Sequence, residues 1–187
     1  MQEYIIELRN GRQSTYHIKE KLKKNGFYYK DKRWYKKTTS CLEIFRWKSL
    51  QGIKCLVYIE GIHERGENYR ADYFAAHKPV RRDKYHCAYC GRLLPKEALE
   101  VDHIIPIQKA KASVFWQLIL SALCPEGVND RNNLTTACRH CNGKKGANAG
   151  LWVLRGYIGK YYVCWVVFRL LLLILFIVWM LCIIPNL

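Results

Sequence analysis

Acidic side chains are scarce in this sequence: 15 Asp and Glu stand against 31 Lys and Arg in 187 residues, a formal charge of +16. Such a chain is a poor match for a cationic partner and favours polyanions, either nucleic acid or an acidic membrane surface. No internal repeat or low-complexity tract appears, which excludes a repeat architecture. No cleavable signal is visible in Met1–Asn10, which is short and mixed in character. The nine cysteines are odd in number and are not spaced like a secreted disulfide framework. Both points favour a reducing compartment in which cysteine serves metal. The length suits one modest domain or two small ones.

The cationic excess is concentrated. Between Lys19 and Lys37 there are nine Lys and Arg and two acids. The surrounding segment reads as a small α/β unit. Tyr4–Leu8 is strand-like and ends at the turn pair Asn10-Gly11. Ser14 or Thr15 can cap a helix that runs to about Asn25 and stops at Gly26. Phe27–Lys37 alternates rings and cations about Asp31-Lys32, as a hairpin does, and Ile53–Ile59 is a further strand. One function of this pattern is nucleic-acid binding: Tyr28, Tyr29, Trp34 and Tyr35 stack on bases while Lys30, Lys32, Arg33, Lys36 and Lys37 meet phosphates. The plainer alternative is a solvated charged face with half of the rings in a core. Glu60–Arg82 is polar and reads as a linker or irregular lead-in.

The tail is of another kind. Tyr161–Ile184 carries one charge, Arg169, in 24 residues, and about 20 apolar residues cross a bilayer as a helix. Trp152, Tyr157, Tyr161, Tyr162 and Trp165 cluster on its near side as an interfacial belt. Arg155 and Lys160 precede the span, which places the basic bulk of the chain in the cytoplasm. Arg169 lies about two turns inside, near enough to snorkel to the interface; a mid-span Arg costs roughly 2.5–3.5 kcal/mol on insertion scales. A helix that binds a hydrophobic partner fits the same residues.

Four of the cysteines form two Cys-x-x-Cys pairs, Cys87/Cys90 and Cys138/Cys141. Each such turn aims both sulfurs at one point, and two turns together make the S₄ set that zinc prefers. A redox reading of one pair has less support, since no thioredoxin-like βαβ pattern surrounds either. The insert between the pairs holds Glu100-Val-Asp102-His103-Ile-Ile-Pro106 and, later, Asn132-Asn133-Leu134.

Taken in order, CAYCGRLLPKEALEVDHIIP and NNLTTACRHCNGKKG resemble the HNH endonuclease family in its four-cysteine, zinc-bound form. The resemblance covers about Tyr85–Gly146. It implies a ββα-metal fold, with Asp102 and His103 splayed at a bend to share one site, since neighbours on a strand otherwise face opposite ways. It implies His103 as general base and Asp102 as ligand of a Mg²⁺-like cation. The family's last motif residue falls at Asn142, giving an H-N-N variant in which an amide oxygen is the second ligand; His140 is the competitor. Asn133, with Asn132 as its possible substitute, would bond backbone across the loop and fix the base. Lys144 and Lys145 would meet phosphates. Where many relatives carry a short glycine loop, this chain carries KAKASVFWQLILSALCPEGVNDR. Val114–Leu123 within it is helix-like, free to cover the zinc half, touch a membrane or wall a substrate channel.

The expected fold class is therefore α+β: a basic α/β module at 1–60, a linker at 61–80, a ββα-metal nuclease domain with structural zinc at 81–150, and a membrane-anchor segment at 151–187. The expected activity is metal-dependent hydrolysis of DNA phosphodiesters, with zinc and a divalent cation as cofactors and with DNA and membrane lipid as partners. Two alternatives stand beside it: a non-catalytic zinc-binding adaptor that holds DNA at a membrane, and a toxin or defence nuclease acting on another nucleic acid.

Overall fold

The computed structural model describes residues 3–183, with side chains through Leu181. In chain order the elements are strand β1 (Tyr4–Asn10), a 3₁₀ turn (Thr15–Ile18), helix α1 (Lys19–Lys24), strands β2 (Tyr28–Lys30) and β3 (Arg33–Thr38), helix α2 (Cys41–Lys48), strand β4 (Ile53–Tyr58) and helix α3 (Tyr69–Ala76). Strands β5 (Lys84–His86), β6 (Leu93–Pro95) and β7 (Leu99–His103) follow, then helices α4 (Ile107–Ala112) and α5 (Val114–Leu123), strand β8 (Leu134–Cys138), and helices α6 (Arg139–Lys145), α7 (Leu151–Gly159) and α8 (Tyr162–Ile183). They form two compact units, each discontinuous in sequence. One comprises the chain up to Glu67 together with Ile105–Asn133; the other is Asn68–Ile104 with the chain from Leu134 onward.

The first unit is built on an antiparallel sheet of order β2-β3-β1-β4. Ile6 and Leu8 on β1 pack with Leu22, Phe27, Trp34, Trp47 and Val57 into its core. The end of α1 is set by local chemistry. Gly26 takes φ +77°, Phe27 N–H donates to Leu22 O and Gly26 N–H to Lys23 O. This is the paired bonding of a Schellman stop, with Phe27 and Leu22 joined in the core behind it. The β2–β3 hairpin turns on Asp31 and Lys32, both at positive φ, as a two-residue turn matched to strand twist requires. Ser40 caps α2 by accepting from Glu43 N–H, a helix the sequence reading did not identify.

Edge strand β4 does not face solvent unprotected. The 105–133 segment joins this unit, and Gln117 Nε2 donates to the Val57 carbonyl at 2.6 Å. Lys111 lies 3.6 Å from the Tyr58 ring centroid and 3.3 Å from Glu64. The inserted helices thus cover an otherwise unpaired strand edge.

In the second unit, β7 and β8 pair antiparallel with Asp102 opposite Thr135 and His103 opposite Leu134. The chain leaves β8 directly into α6, so β7, β8 and α6 make a ββα arrangement. Helix α3 lies within the stretch read as a linker, and corrects it. Its Tyr73 and Phe74 pack with Val101 and Leu134, and Arg70 donates to the Leu99 carbonyl at 2.9 Å.

Candidate active site and zinc knuckles

The two cysteine pairs converge. Cys87–Cys90 forms the turn after β5, where the N–H groups of Cys90 and Gly91 both donate to Cys87 O. Gly91 sits at φ +69°. Cys138 caps α6, its sulfur accepting from Cys141 N–H at 3.5 Å. The turns are held together by Ala88 N–H donating to Thr136 O at 2.8 Å and Thr136 Oγ1 donating to His86 O at 2.6 Å. All four sulfurs lie within 4.8 Å of one another, and those of Cys90 and Cys138 are 4.0 Å apart. A tetrahedral zinc with Zn–S of ~2.3 Å needs sulfurs ~3.8 Å apart, so the set fits zinc. Burial pushes the Cys87 thiol up to about 11 and raises Cys141 further. A zinc ion held by the four sulfurs would supply the charge that makes thiolates tenable there.

Behind the knuckles, β7 alternates. Leu99, Val101 and His103 are buried, while Glu100 and Asp102 are half-buried. Asp102 Oδ2 accepts from the Tyr89 hydroxyl at 2.6 Å and from Lys145 Nζ at 2.9 Å. Tyr89 belongs to the first knuckle; burial and the Asp102 charge raise its phenol far above the ordinary range. Glu100, two residues back, accepts a bond from the Asn142 amide. Asn142 and Lys145, three apart on α6, therefore face Glu100 and Asp102, two apart on β7, which is how a helix face registers on a strand face. The His103 ring is 5.0 Å, centroid to centroid, from Tyr69 of α3, and its carbonyl accepts from Lys145 Nζ at 2.8 Å. Asp102 and His103 thus leave the strand end toward different neighbours, with Lys145 touching both residues.

Lys145 has no exposed surface, so it is a buried counter-ion to Asp102 and does not meet phosphate; Lys144 is exposed. His140 is exposed on the first turn of α6. Asn133 is fully buried in the first unit: its Oδ1 accepts from Ile105 N–H at 2.7 Å and its Nδ2 donates to Val128 O at 2.8 Å. Asn132 instead donates to Leu123 O at 3.3 Å.

On the basic hairpin, Trp34 is 6 % exposed and belongs to the core, so it stacks on no base. Arg33 is engaged with buried Glu7 at 3.3 Å, which also accepts from Tyr58 at 3.2 Å, and Lys36 pairs with Glu43. Lys30 and Lys32 remain exposed, as do Tyr28 and Tyr29 at 52 % and 59 %.

Sequence reasoning missed Glu100, Tyr89 and the role of Lys145. Strand period two from Asp102 and helix spacing three from Asn142 were available signals for the first and last. Nothing in the sequence marked the Tyr89 hydroxyl as an Asp102 partner.

Helix α8 is long and apolar enough to cross a membrane over Tyr162–Leu181, and none of that window is buried. Arg169, expected to snorkel to the interface, donates to Gly91 O at 2.7 Å, and Trp165 Nε1 to Ala88 O at 3.2 Å.

No curated protein and no solved structure matches this chain. One family model does match, over Cys87–Asn148, the segment that holds both knuckles, β7, β8 and α6. Residues 87–148 are an HNH endonuclease domain.

Proposed function

We propose that the protein is a metal-dependent nuclease that hydrolyses DNA phosphodiesters while tethered to a membrane by α8. The observation that carries the reading is the ββα arrangement with Asp102, His103 and Asn142 on β7 and α6 beside four convergent cysteines. The oxygen donors of Asp102 and Asn142 suit a hard divalent cation such as Mg²⁺. Such an ion, when bound, supplies charge relief to the scissile phosphate and the leaving oxygen.

The chain's own residues do the rest. His103, as neutral imidazole, takes the proton of the attacking water. Lys145 holds the Asp102 carboxylate and the His103 carbonyl in fixed relation. Asn133 fixes the backbone at Ile105, two residues past the base. The products are 5′-phosphate and 3′-hydroxyl ends. Exposed Lys30, Lys32 and Lys144 draw the polyanion in without reading its sequence. Arg155 and Lys160 ahead of α8 support a cytoplasmic side for the nuclease by the positive-inside rule.

A second reading, a zinc-bound adaptor that binds DNA without cutting it, is favoured by one observation: Asp102 Oδ2 is already engaged by Lys145 and Tyr89. The full chain, zinc-loaded in detergent and incubated with supercoiled plasmid and Mg²⁺ or Mn²⁺, separates the two. A nuclease nicks or linearises the plasmid. An adaptor retards it in a salt-dependent way and leaves it intact with every divalent metal.

A further inference from the structure

Helix α7 has its faces reversed relative to a soluble surface helix. Its inner face is made close by glycine. A Cβ on Gly156 would meet Ile104 Cγ2 at 2.9 Å, and one on Gly159 would meet Ala88 O at 1.9 Å. Val153, Gly156 and Gly159 are buried. The outer face presents Leu151, Leu154 and Ile158, at 81, 57 and 53 % exposure. An exposed face of a globular helix normally carries charge; here Arg155 is its one charged residue.

That face runs straight into α8. Between α7 and α8 lies a cleft of about 510 Å³ walled by Leu151, Leu154, Ile158, Trp165 and Phe168, with Arg155 as the one ionised side chain in its lining. The Arg155 guanidinium is 5.8 Å and 5.7 Å from the ring centroids of Trp152 and Trp165. One cation held among indole rings beside an apolar cleft matches an anionic phospholipid: phosphate for the guanidinium, acyl chain for the walls. Continuity with α8 favours lipid as the occupant over a protein partner, since the adjoining helix carries no charge from Leu170 to Leu181 and is exposed over those residues.

We infer that α7 lies in the membrane surface as a second anchor, and that the α7–α8 cleft binds an anionic phospholipid through Arg155. The inference rests on the reading of α8 as a membrane anchor. It adds that the knuckle side of the nuclease domain sits on the bilayer, because α7 packs on Ala88 and Tyr89 of the first knuckle.

The test uses the full chain in vesicles of phosphatidylcholine with and without phosphatidylglycerol. Photo-leucine is placed singly at Leu154, at Leu173 in α8, or at exposed Leu42. Lipid adducts at 154 and 173 but not at 42 are expected, enriched in phosphatidylglycerol at 154. Arg155→Gln should lower that enrichment about fivefold, the factor equivalent to ~1 kcal/mol for one cation at an anionic surface. An adduct at 173 alone overturns the inference and leaves the α8 anchor intact. No adduct at either position overturns the anchor and the inference with it. Crosslinks from 154 to a second copy of the chain overturn it in favour of self-association. Unchanged enrichment in the Arg155 variant overturns the headgroup assignment.

Discussion

The Lys145 ammonium lies 2.9 Å from Asp102 Oδ2 with no exposed surface on the lysine. A buried lysine is tolerable only with a counter-charge and satisfied donors. Here the counter-charge is the carboxylate assigned to the cation, and a second acceptor is the carbonyl of the residue assigned as base. The structural ion pair and the proposed chemistry therefore meet on the same two residues.

Lys145→Ala should lower stability by roughly 3–5 kcal/mol, because it strands a half-buried carboxylate. Lys145→Met alone should recover little of this. Lys145→Met combined with Asp102→Asn should recover most of it, since the unpaired charge is gone. Urea unfolding of the zinc-loaded chain reads the difference. A loss below about 1 kcal/mol for Lys145→Ala would show the pair to be of surface character.

Zinc removal should unfold the second unit. Cys87 and Cys141 are pushed up by burial, so without metal they are neutral thiols, and zinc uptake must release protons. Affinity for zinc should then fall as pH falls. Metal analysis should find one zinc per chain, and Cys141→Ser should lose it together with the helical signal of α6. A metal-free chain with an unchanged unfolding profile would contradict the structural assignment.

The first unit should weaken in mild acid through His63. This ring is buried, accepts from Ile59 N–H at 3.2 Å, and is held below the ordinary histidine range first by burial and then by the Lys111 charge. Folding thus favours neutral His63. Its contribution is complete above the unfolded value of ~6.5 and is lost as pH falls below it. The unfolding midpoint should be flat above ~6.5 and drop beneath it, and His63→Gln should flatten that drop. An identical pH profile in the variant would exclude His63 as the cause.

Nucleic-acid binding should separate residues that were alike in sequence. Lys30→Ala and Lys32→Ala should each reduce the salt slope of DNA affinity by about one. Lys36→Ala, already paired with Glu43, should change it little. Trp34→Ala should cost about 3–5 kcal/mol in stability, as a buried ring does. Fluorescence anisotropy at several salt concentrations makes the comparison; equal slopes for Lys30→Ala and wild type would remove the hairpin from the interface.

That contrast marks where the sequence was legible. The turn at Asp31-Lys32, the stop at Gly26 and the helix at Val114–Leu123 were readable because each is set by neighbours in the chain. The cysteine pairs and the Asp-His pair were readable because their chemistry needs those residue types. Which cation stays free was not readable, since Arg33 and Lys145 are claimed by Glu7 and Asp102 at 26 and 43 residues' distance. Helix α3 was hidden by its polar surroundings; its Tyr73 and Phe74 show a purpose only once Val101 and Leu134 lie beneath them. The destination of the 105–133 segment was hidden for the same reason, because it is a strand edge formed far upstream.

The most direct measurement is cleavage of supercoiled plasmid by the full chain and by His103→Ala, in Mg²⁺ or Mn²⁺, with zinc content and helical signal matched between the two. The account predicts cutting by the wild type, no cutting by the variant, and stronger loss of divalent-metal dependence in Asn142→Ala than in His140→Ala. Equal cutting by wild type and His103→Ala would contradict it.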